Sequence, residues 1–446
     1  MRSYVTLCGV LMFLAVNTSV AAGKDLITWA DLESGLAGTF AIPLAQQGDY
    51  RFGYSSGVHA QLANGNLLVV GHPYYDRQAE VQIPSTLDGR EGTRVGPWID
   101  ITKGLLPAGW NTGDEPCYVG GMLDIGGRIH FTKYQGYNGA GTNWQTQGYY
   151  DGDTNGNGTA SGMWTVDNLY AHHSRVGGYM SYPSQAILQD GYVYLAGLEG
   201  TSGGALGRWG PNLFAINPTP SGSTVGGATL ICHDSEAHKA PDVTPSNATS
   251  PWWVSNGAAN AAWWIANKVT DMEWIETDTQ HGVVAFVYRG LGQTWYGESN
   301  AGPGGATDPY GGGYGYHAEG WSLEAWIYDP DELMQVYDGQ RDPWSLAPAE
   351  AVLLTERLPD VDYETYYSFF TGRAKTGLTM SLRDNRLIVL EEAGYRANLY
   401  EDTPKGYVIG IIPEPSSLAL LAPAAMGLLW WSRGRGAGRA AQRPGA

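Results

Sequence analysis

Short runs in which apolar and polar residues alternate recur along most of the chain, and they come in pairs joined by Gly, Asn or Asp. The pairs are QLANGNLLVV (Gln61–Val70), MLDIGGRIHF (Met122–Phe131), AILQDGYVYLA (Ala186–Ala196), WIETDTQHGVVAFV (Trp274–Val287) and MSLRDNRLIVL (Met380–Leu390). A period of two is the mark of a half-buried strand. Asn-Gly, Gly-Gly and Asp-Gly tolerate the positive φ that tight hairpin turns require, so each pair predicts a β-hairpin. Strand echoes also recur at Gly96–Thr102, Asn212–Pro218 and Glu324–Pro330, and the last two predict strands stopped by Asn-Pro and Asp-Pro turns.

The turns at Gly65, Gly126 and Gly191 are evenly spaced, and the later intervals are wider. Two irregular inserts account for the widening. One is Trp-rich, Asp234–Lys268, with a short helix predicted over Ala258–Asn267; the other is the Gly-rich Ser299–Gly320. Helical periodicity is nearly absent elsewhere. One supersecondary unit per period predicts an all-β fold, a β-propeller of five blades over residues 23–411. Six or seven blades follow if the wide intervals hide degenerate units, and a pair of β-sandwiches is the alternative.

Both ends break the pattern. Met1–Ala22 has Arg2, an apolar core from Val5 to Val16 and small residues at Ser19, Ala21 and Ala22. That order predicts a secretory signal peptide for residues 1–22, which implies the Sec export machinery as a partner. At the other end, over residues 412–446, Pro413-Glu414-Pro415 is followed by an apolar run, Leu418–Trp431, and then by Arg433, Arg435 and Arg439. An apolar run closed by arginines predicts a membrane-inserted segment with its basic end on the cytoplasmic side. The tail resembles the PEP-CTERM sorting signal of Gram-negative bacteria, with interspersed rather than contiguous arginines. The resemblance implies an exosortase-type enzyme as partner and delivery to the cell surface or extracellular matrix.

The ends carry five arginines and one glutamate, so the mature middle is more acidic than the −18 of the whole chain. Such a charge repels phosphate backbones and argues against nucleic-acid binding. Cys117 and Cys232 remain after signal removal; in an oxidising compartment they allow one disulfide, and their spacing is not that of a zinc site. Tyr and Trp, 28 and 17, far outnumber the 8 Phe, which favours surfaces with one face buried and the other meeting water or a polar ligand.

Aligning the hairpins places His59, Tyr118, Ser184, Asp271 with Glu273, and Thr376 nearest a propeller axis. Glycoside hydrolysis needs two carboxyl groups. Asp114, Glu115, Asp271, Glu273, Glu319 and Glu324 lie near strand ends, with Glu115 the candidate acid and Asp271 its partner. Solvated loop carboxylates are the plainer account. His59, His72, His172, His173 and His317 are candidate metal ligands, weighed against ordinary structural histidines.

Asp151, Asp153 and Asn155 alternate before Gly156, as in the opening of a calcium loop, although the twelfth position is Gly162 rather than Glu. The same composition makes plain turns. Trp252, Trp253, Trp263, Trp264, Trp295, Tyr314, Tyr316 and Trp321 crowd the two inserts as candidate ligand-binding aromatics. The expectation is an exported propeller with a non-catalytic binding or structural role toward glycan or matrix partners. The alternative is a polysaccharide hydrolase or lyase using axial carboxylates or a His/metal site.

Overall fold

A computed structural model describes residues 24–106, 117–135, 145–171, 176–198, 210–248, 268–296, 316–354, 377–396 and 401–411, less positions 74, 239, 241 and 242. The described chain is all-β, with an architecture compatible with a propeller-like or barrel-like arrangement. It opens with β1 (Asp25–Leu26), α1 (Trp29–Ser34) and β2 (Leu36–Ala41). Then come β3 (His59–Gln61), β4 (Leu67–Val70), β5 (Gln78–Gln82), β6 (Asp88–Glu91) and β7 (Thr93–Ile99). The next group is β8 (Cys117–Ile125), β9 (Arg128–Gln135), β10 (Gln145–Gly152) and β11 (Gly158–Asp167). It is followed by β12 (Met180–Ser181), α2 (Gln185–Gln189), β13 (Tyr194–Ala196), β14 (Leu213–Ser221) and β15 (Thr224–Ile231). The rest is β16 (Lys268–Glu276), β17 (Gln280–Tyr296), β18 (Tyr316–Tyr328), α3 (Pro330–Tyr337), β19 (Glu350–Leu353), β20 (Leu378–Arg383), β21 (Arg386–Arg396) and β22 (Asp402–Gly410).

Five antiparallel meanders follow from the pairings: β3-β4-β5-β7, β8-β9-β10-β11, β12-β13-β14-β15, β16-β17-β18-β19 and β20-β21-β22-β2. The last is completed by the early strand β2, which pairs with β22 across nearly the whole sequence. The first strands of the meanders, β3, β8, β12, β16 and β20, touch one another in that order, and β20 returns to β3, closing a ring. Their contacts run start to start: Thr270 on β16 reaches Leu378 of β20, and His59 on β3 reaches Thr379 of β20. The ring strands therefore point the same way.

Strand alternation explains the packing. Leu68 and Val70 face a core shared with Val119, Met122 and Ile129, whereas Leu67 and Val69 face one shared with Phe40, Ile388 and Leu390. Successive side chains leave opposite faces of a strand, so each meander contributes to two cores, one with each neighbour. The remaining cores join the second meander to the third, the third to the fourth, and the fourth to the fifth. Burying each such Val, Leu or Ile contributes about 1.5–3 kcal/mol.

Four of the five predicted hairpins form, with Asp384 and Asn385 both at positive φ in the last turn (52° and 58°). The third does not. Ser184 accepts a hydrogen bond from the Ile187 N–H and caps α2, so Gln185–Gln189 is helical and only β13 of the predicted pair is a strand. At Asp329-Pro330 the strand stops as predicted, because Asp329 caps α3 and Pro330 occupies its first turn. The Asn217-Pro218 step does not stop a strand, since β14 continues to Ser221. Cys117 and Cys232 are buried thiols that form no disulfide. The predicted helix at 258–267, the signal peptide and the sorting tail lie outside the described residues. Among the described residues no helix is long and apolar enough to cross a membrane.

Candidate functional site

The ring strand β16 carries two carboxyl groups on one face. A register shift between Val269 and Asp271 precedes Asp271, and period-two alternation then aligns Asp271 with Glu273. The Asp271 carboxyl accepts hydrogen bonds from the backbone N–H groups of Met380 (2.5 Å) and Met272 (2.7 Å). Glu273 accepts one from the Ser181 hydroxyl at 2.9 Å, and that hydroxyl in turn accepts the Trp274 N–H at 2.8 Å. The second oxygen of Glu273, Oε2, is buried with no hydrogen-bond partner among the described residues.

Burial governs the ionisation of this pair. Asp271 and Glu273 are 4 % and 0 % exposed, and desolvation pushes both carboxyls well above the ordinary range. Two amide donors favour the charged form of Asp271, and a charge on Asp271 further opposes ionisation of Glu273. Burial thus holds both carboxyls toward their neutral forms. A carboxyl held toward its neutral form by burial is the kind of group that can serve as a general acid.

His59 lies on β3, on the other side of β20 from β16. Its Nδ1 is 2.8 Å from the Gly57 carbonyl oxygen, and the Thr379 hydroxyl donates to the same carbonyl at 2.6 Å. Burial lowers its pKa to about 4, so the imidazole is neutral at physiological pH. Toward the far ends of the ring strands, Arg383 pairs with Asp124 at 3.1 Å and donates to the Gln61 carbonyl, while Tyr182 donates to the Asp124 carbonyl. Burial pushes the Tyr182 phenol up to about 12. This knot ties four meanders together at the end opposite the strand starts.

A second cluster lies elsewhere. His281, Asp329 and Asp331 bring ligand atoms within 4.8 Å of one another and can hold a divalent metal ion. His281 begins β17, Asp329 follows β18, and their pairing (Val283 opposite Tyr328) brings the two together. Asp329 also accepts the Asp331 N–H at 2.9 Å as the cap of α3. His281 pairs with Glu276, five residues along β16 from Asp271, or about 16 Å at the strand rise. The metal-capable group is therefore separate from the carboxyl pair.

The remaining candidates fall differently. Glu115, Asp114, Thr376, His172, His173, Trp252, Trp253, Trp263, Trp264 and Tyr314 lie outside the described residues. Trp295 is on β17, and Tyr316, His317, Glu319 and Trp321 are on β18. Tyr118 packs against Tyr134, and Ser184 is the helix cap already described. Glu324 is fully buried and accepts hydrogen bonds from Ser322 and the Trp326 indole, a structural role. Asp151 faces Arg128 at 2.9 Å. Asp153 accepts the N–H groups of Asn155 and Asn157, so this segment closes its own hairpin turn, while Thr154 bonds to Glu80 of the first meander. The metal-capable group thus lies at positions that the sequence pattern did not single out.

These furnishings correct the expected non-catalytic binding or structural role. A His/Asp/Asp group able to hold a metal, together with a separate buried carboxyl pair, supports the enzymatic alternative better.

Comparison finds no matching protein family and no matching curated sequence. Among solved structures the chain is similar to the PQQ-bound form of Aldose Sugar Dehydrogenase (Adh) from Streptomyces coelicolor. Identity is 10%, the match covers 82% of this chain and 97% of that one, and the TM-score is 0.32. A likeness at that level carries no argument about chemistry.

Proposed function

We propose that the chain is an exported polysaccharide hydrolase or lyase, built as a five-bladed β-propeller, with Glu273 as proton donor and Asp271 as its paired carboxyl. The observation that carries this reading is the burial of both carboxyls on one ring strand with their ionisation suppressed. A carboxyl kept protonated near neutral pH is what leaving-group protonation in glycan cleavage demands. The Oε2 atom of Glu273, which has no hydrogen-bond partner among the described residues, is the one available to pass a proton through a water. The blade count is supported by five meanders and a closed ring of first strands, with β2 completing the last blade.

For the ion at His281, Asp329 and Asp331 we favour a first-row transition metal over calcium. An imidazole nitrogen suits such ions, whereas calcium prefers an all-oxygen shell. Signal peptide 1–22 and the PEP-CTERM-like tail 412–446 support export, exosortase processing and a cell-surface setting for the body, residues 23–411.

The test is product release from a panel of polysaccharides, read both as reducing ends and as the ultraviolet absorbance of unsaturated ends. Wild-type protein is expected to release product, and Glu273→Gln to reduce the rate by about 10²–10⁴-fold. No release from any substrate, or an unaltered rate in Glu273→Gln, overturns the reading.

A further inference from the structure

One line of aromatic rings on the first meander, at the end where β3 starts, belongs neither to the carboxyl pair nor to the metal-capable group. It runs Tyr50, Tyr75, His72, Tyr54, with successive centroid distances of 5.7, 5.5 and 5.6 Å and interplanar angles of 82°, 54° and 78°, so the rings brace one another edge to face or tilted. Tyr54 and Tyr75 are each 38 % exposed, whereas His72 between them is 7 % exposed. The rings come from two segments: 50–57, which leads into β3, and 71–77, which joins β4 to β5. Since β3 and β4 are antiparallel, with His59 opposite Val69, both segments lie where β3 starts. The ring strands share one direction, so this is also the end at which β16 begins.

Backbone hydrogen bonds hold the two segments in place. The His72 N–H donates to the Arg51 carbonyl, the Tyr54 N–H to Asp402, the Gly71 N–H to Arg77 and the Tyr75 N–H to His72. Tyr54 has φ 60° and Asp76 φ 45°, both in the left-handed region that non-glycine residues rarely occupy. Strain of this kind persists only where the surroundings impose it, and it gathers at ligand sites. The cations beside the rings are already paired: Arg51 with Glu401 (2.5 Å), Arg77 with Asp100 (3.1 Å) and buried Lys133 with Asp76 (3.0 Å).

We propose that Tyr54 and Tyr75 form a substrate subsite that stacks a neutral glycan chain on the first meander, at the end where the ring strands start. The proposal rests on the polysaccharide-cleaving function above and names where its substrate is held. Tyrosine offers an apolar ring face for the C–H face of a pyranose and a hydroxyl for its rim. Arg51, Arg77 and Lys133 are paired with carboxylates and the chain is acidic, which favours a neutral polymer over an anionic one. A protein partner would need a broad buried apolar centre, and a single row of half-exposed rings does not supply one.

The experiment is affinity electrophoresis of the full chain through gels containing neutral polysaccharides (cellulose derivative, xylan, mannan) or anionic ones (alginate, polygalacturonate). It compares wild type, Tyr54→Ala, Tyr75→Ala, the double alanine variant and Tyr54→Phe/Tyr75→Phe. Wild type is expected to be retarded by a neutral polymer. The double alanine variant loses about tenfold or more in affinity, and the Phe variant, which keeps the rings, stays within about threefold. Melting temperatures of all variants establish that they are folded.

Retardation that is absent, confined to anionic polymers, or unaltered in the double alanine variant overturns the proposal. Glu273→Gln separates it from the catalytic reading, because that variant is expected to bind like wild type. Tyrosine-dependent retardation without turnover leaves the subsite standing and removes the catalytic role. Turnover whose KM ignores both tyrosines does the reverse.

Discussion

Two carboxyl clusters sit at opposite ends of the fourth meander, and solvent divides their chemistry. Asp271 and Glu273 are sealed inside the ring, where desolvation favours neutral acids. Asp329 and Asp331 stand at the surface with His281, where Asp329 is 37 % exposed in its side chain and the group can receive a cation. Carboxyl groups on β16 are thus held toward the neutral form, whereas those at the start of α3 form a metal-capable site. Depth in the fold, more than residue type, assigns the role.

The sharpest way to break this contrast is to remove the charge behaviour of the inner pair. The folded pKa values of Asp271 and Glu273 are raised, so the stability tied to their neutral forms is complete below the unfolded carboxylate values and is lost as pH rises through the folded values. Asp271→Asn with Glu273→Gln is therefore expected to flatten the alkaline fall in stability, by several kcal/mol at most. Urea melts at neutral and alkaline pH check it. An identical fall in the double variant would mean that the pair is ionised in the native state.

The acid side has its own probe. His59 and His130 both have pKa values lowered to about 4 by burial. Their sign is the reverse: stability is complete above pH 6.5 and drains away as pH falls toward about 4, by about 3 kcal/mol for each histidine. His59→Gln should make the acid melt shallower. An unaltered acid slope would place the titrating groups elsewhere.

At the surface cluster the expected effect is smaller. Zinc or manganese at 100 times its dissociation constant stabilises by about 2.7 kcal/mol, a rise of several degrees in Tm that a chelator reverses and His281→Ala abolishes. Equal Tm values with and without metal would leave the group as a helix cap alone. The smallest effect is expected at Ser184→Ala, which removes the cap of α2 and costs about 1 kcal/mol, read from a urea midpoint.

Much of the fold was legible because local chemistry and global pairing agree. Gly126-Gly127 and Asp384-Asn385 sit at the positive-φ turns that their types demand. AILQDGYVYLA misled because an Asp-Gly step also ends a helix, and the capping role of Ser184 was the countervailing signal. Asp271 and Glu273 were noticeable as neighbours two apart on a strand, but their burial depends on Met380 and Ser181 from other meanders, which no local pattern encodes. The metal-capable group was hidden for another reason. His281 and Asp329 meet only through the long β17–β18 pairing, and Asp329-Pro330 reads first as a strand stop.

The most direct test of the account is the carboxyl region of the infrared spectrum at pH 7, comparing wild type with Asp271→Asn/Glu273→Gln. The account predicts a protonated-carboxyl band in wild type that rising pH removes and that the double variant lacks. A wild-type spectrum without that band, with only ionised carboxylate, would contradict it.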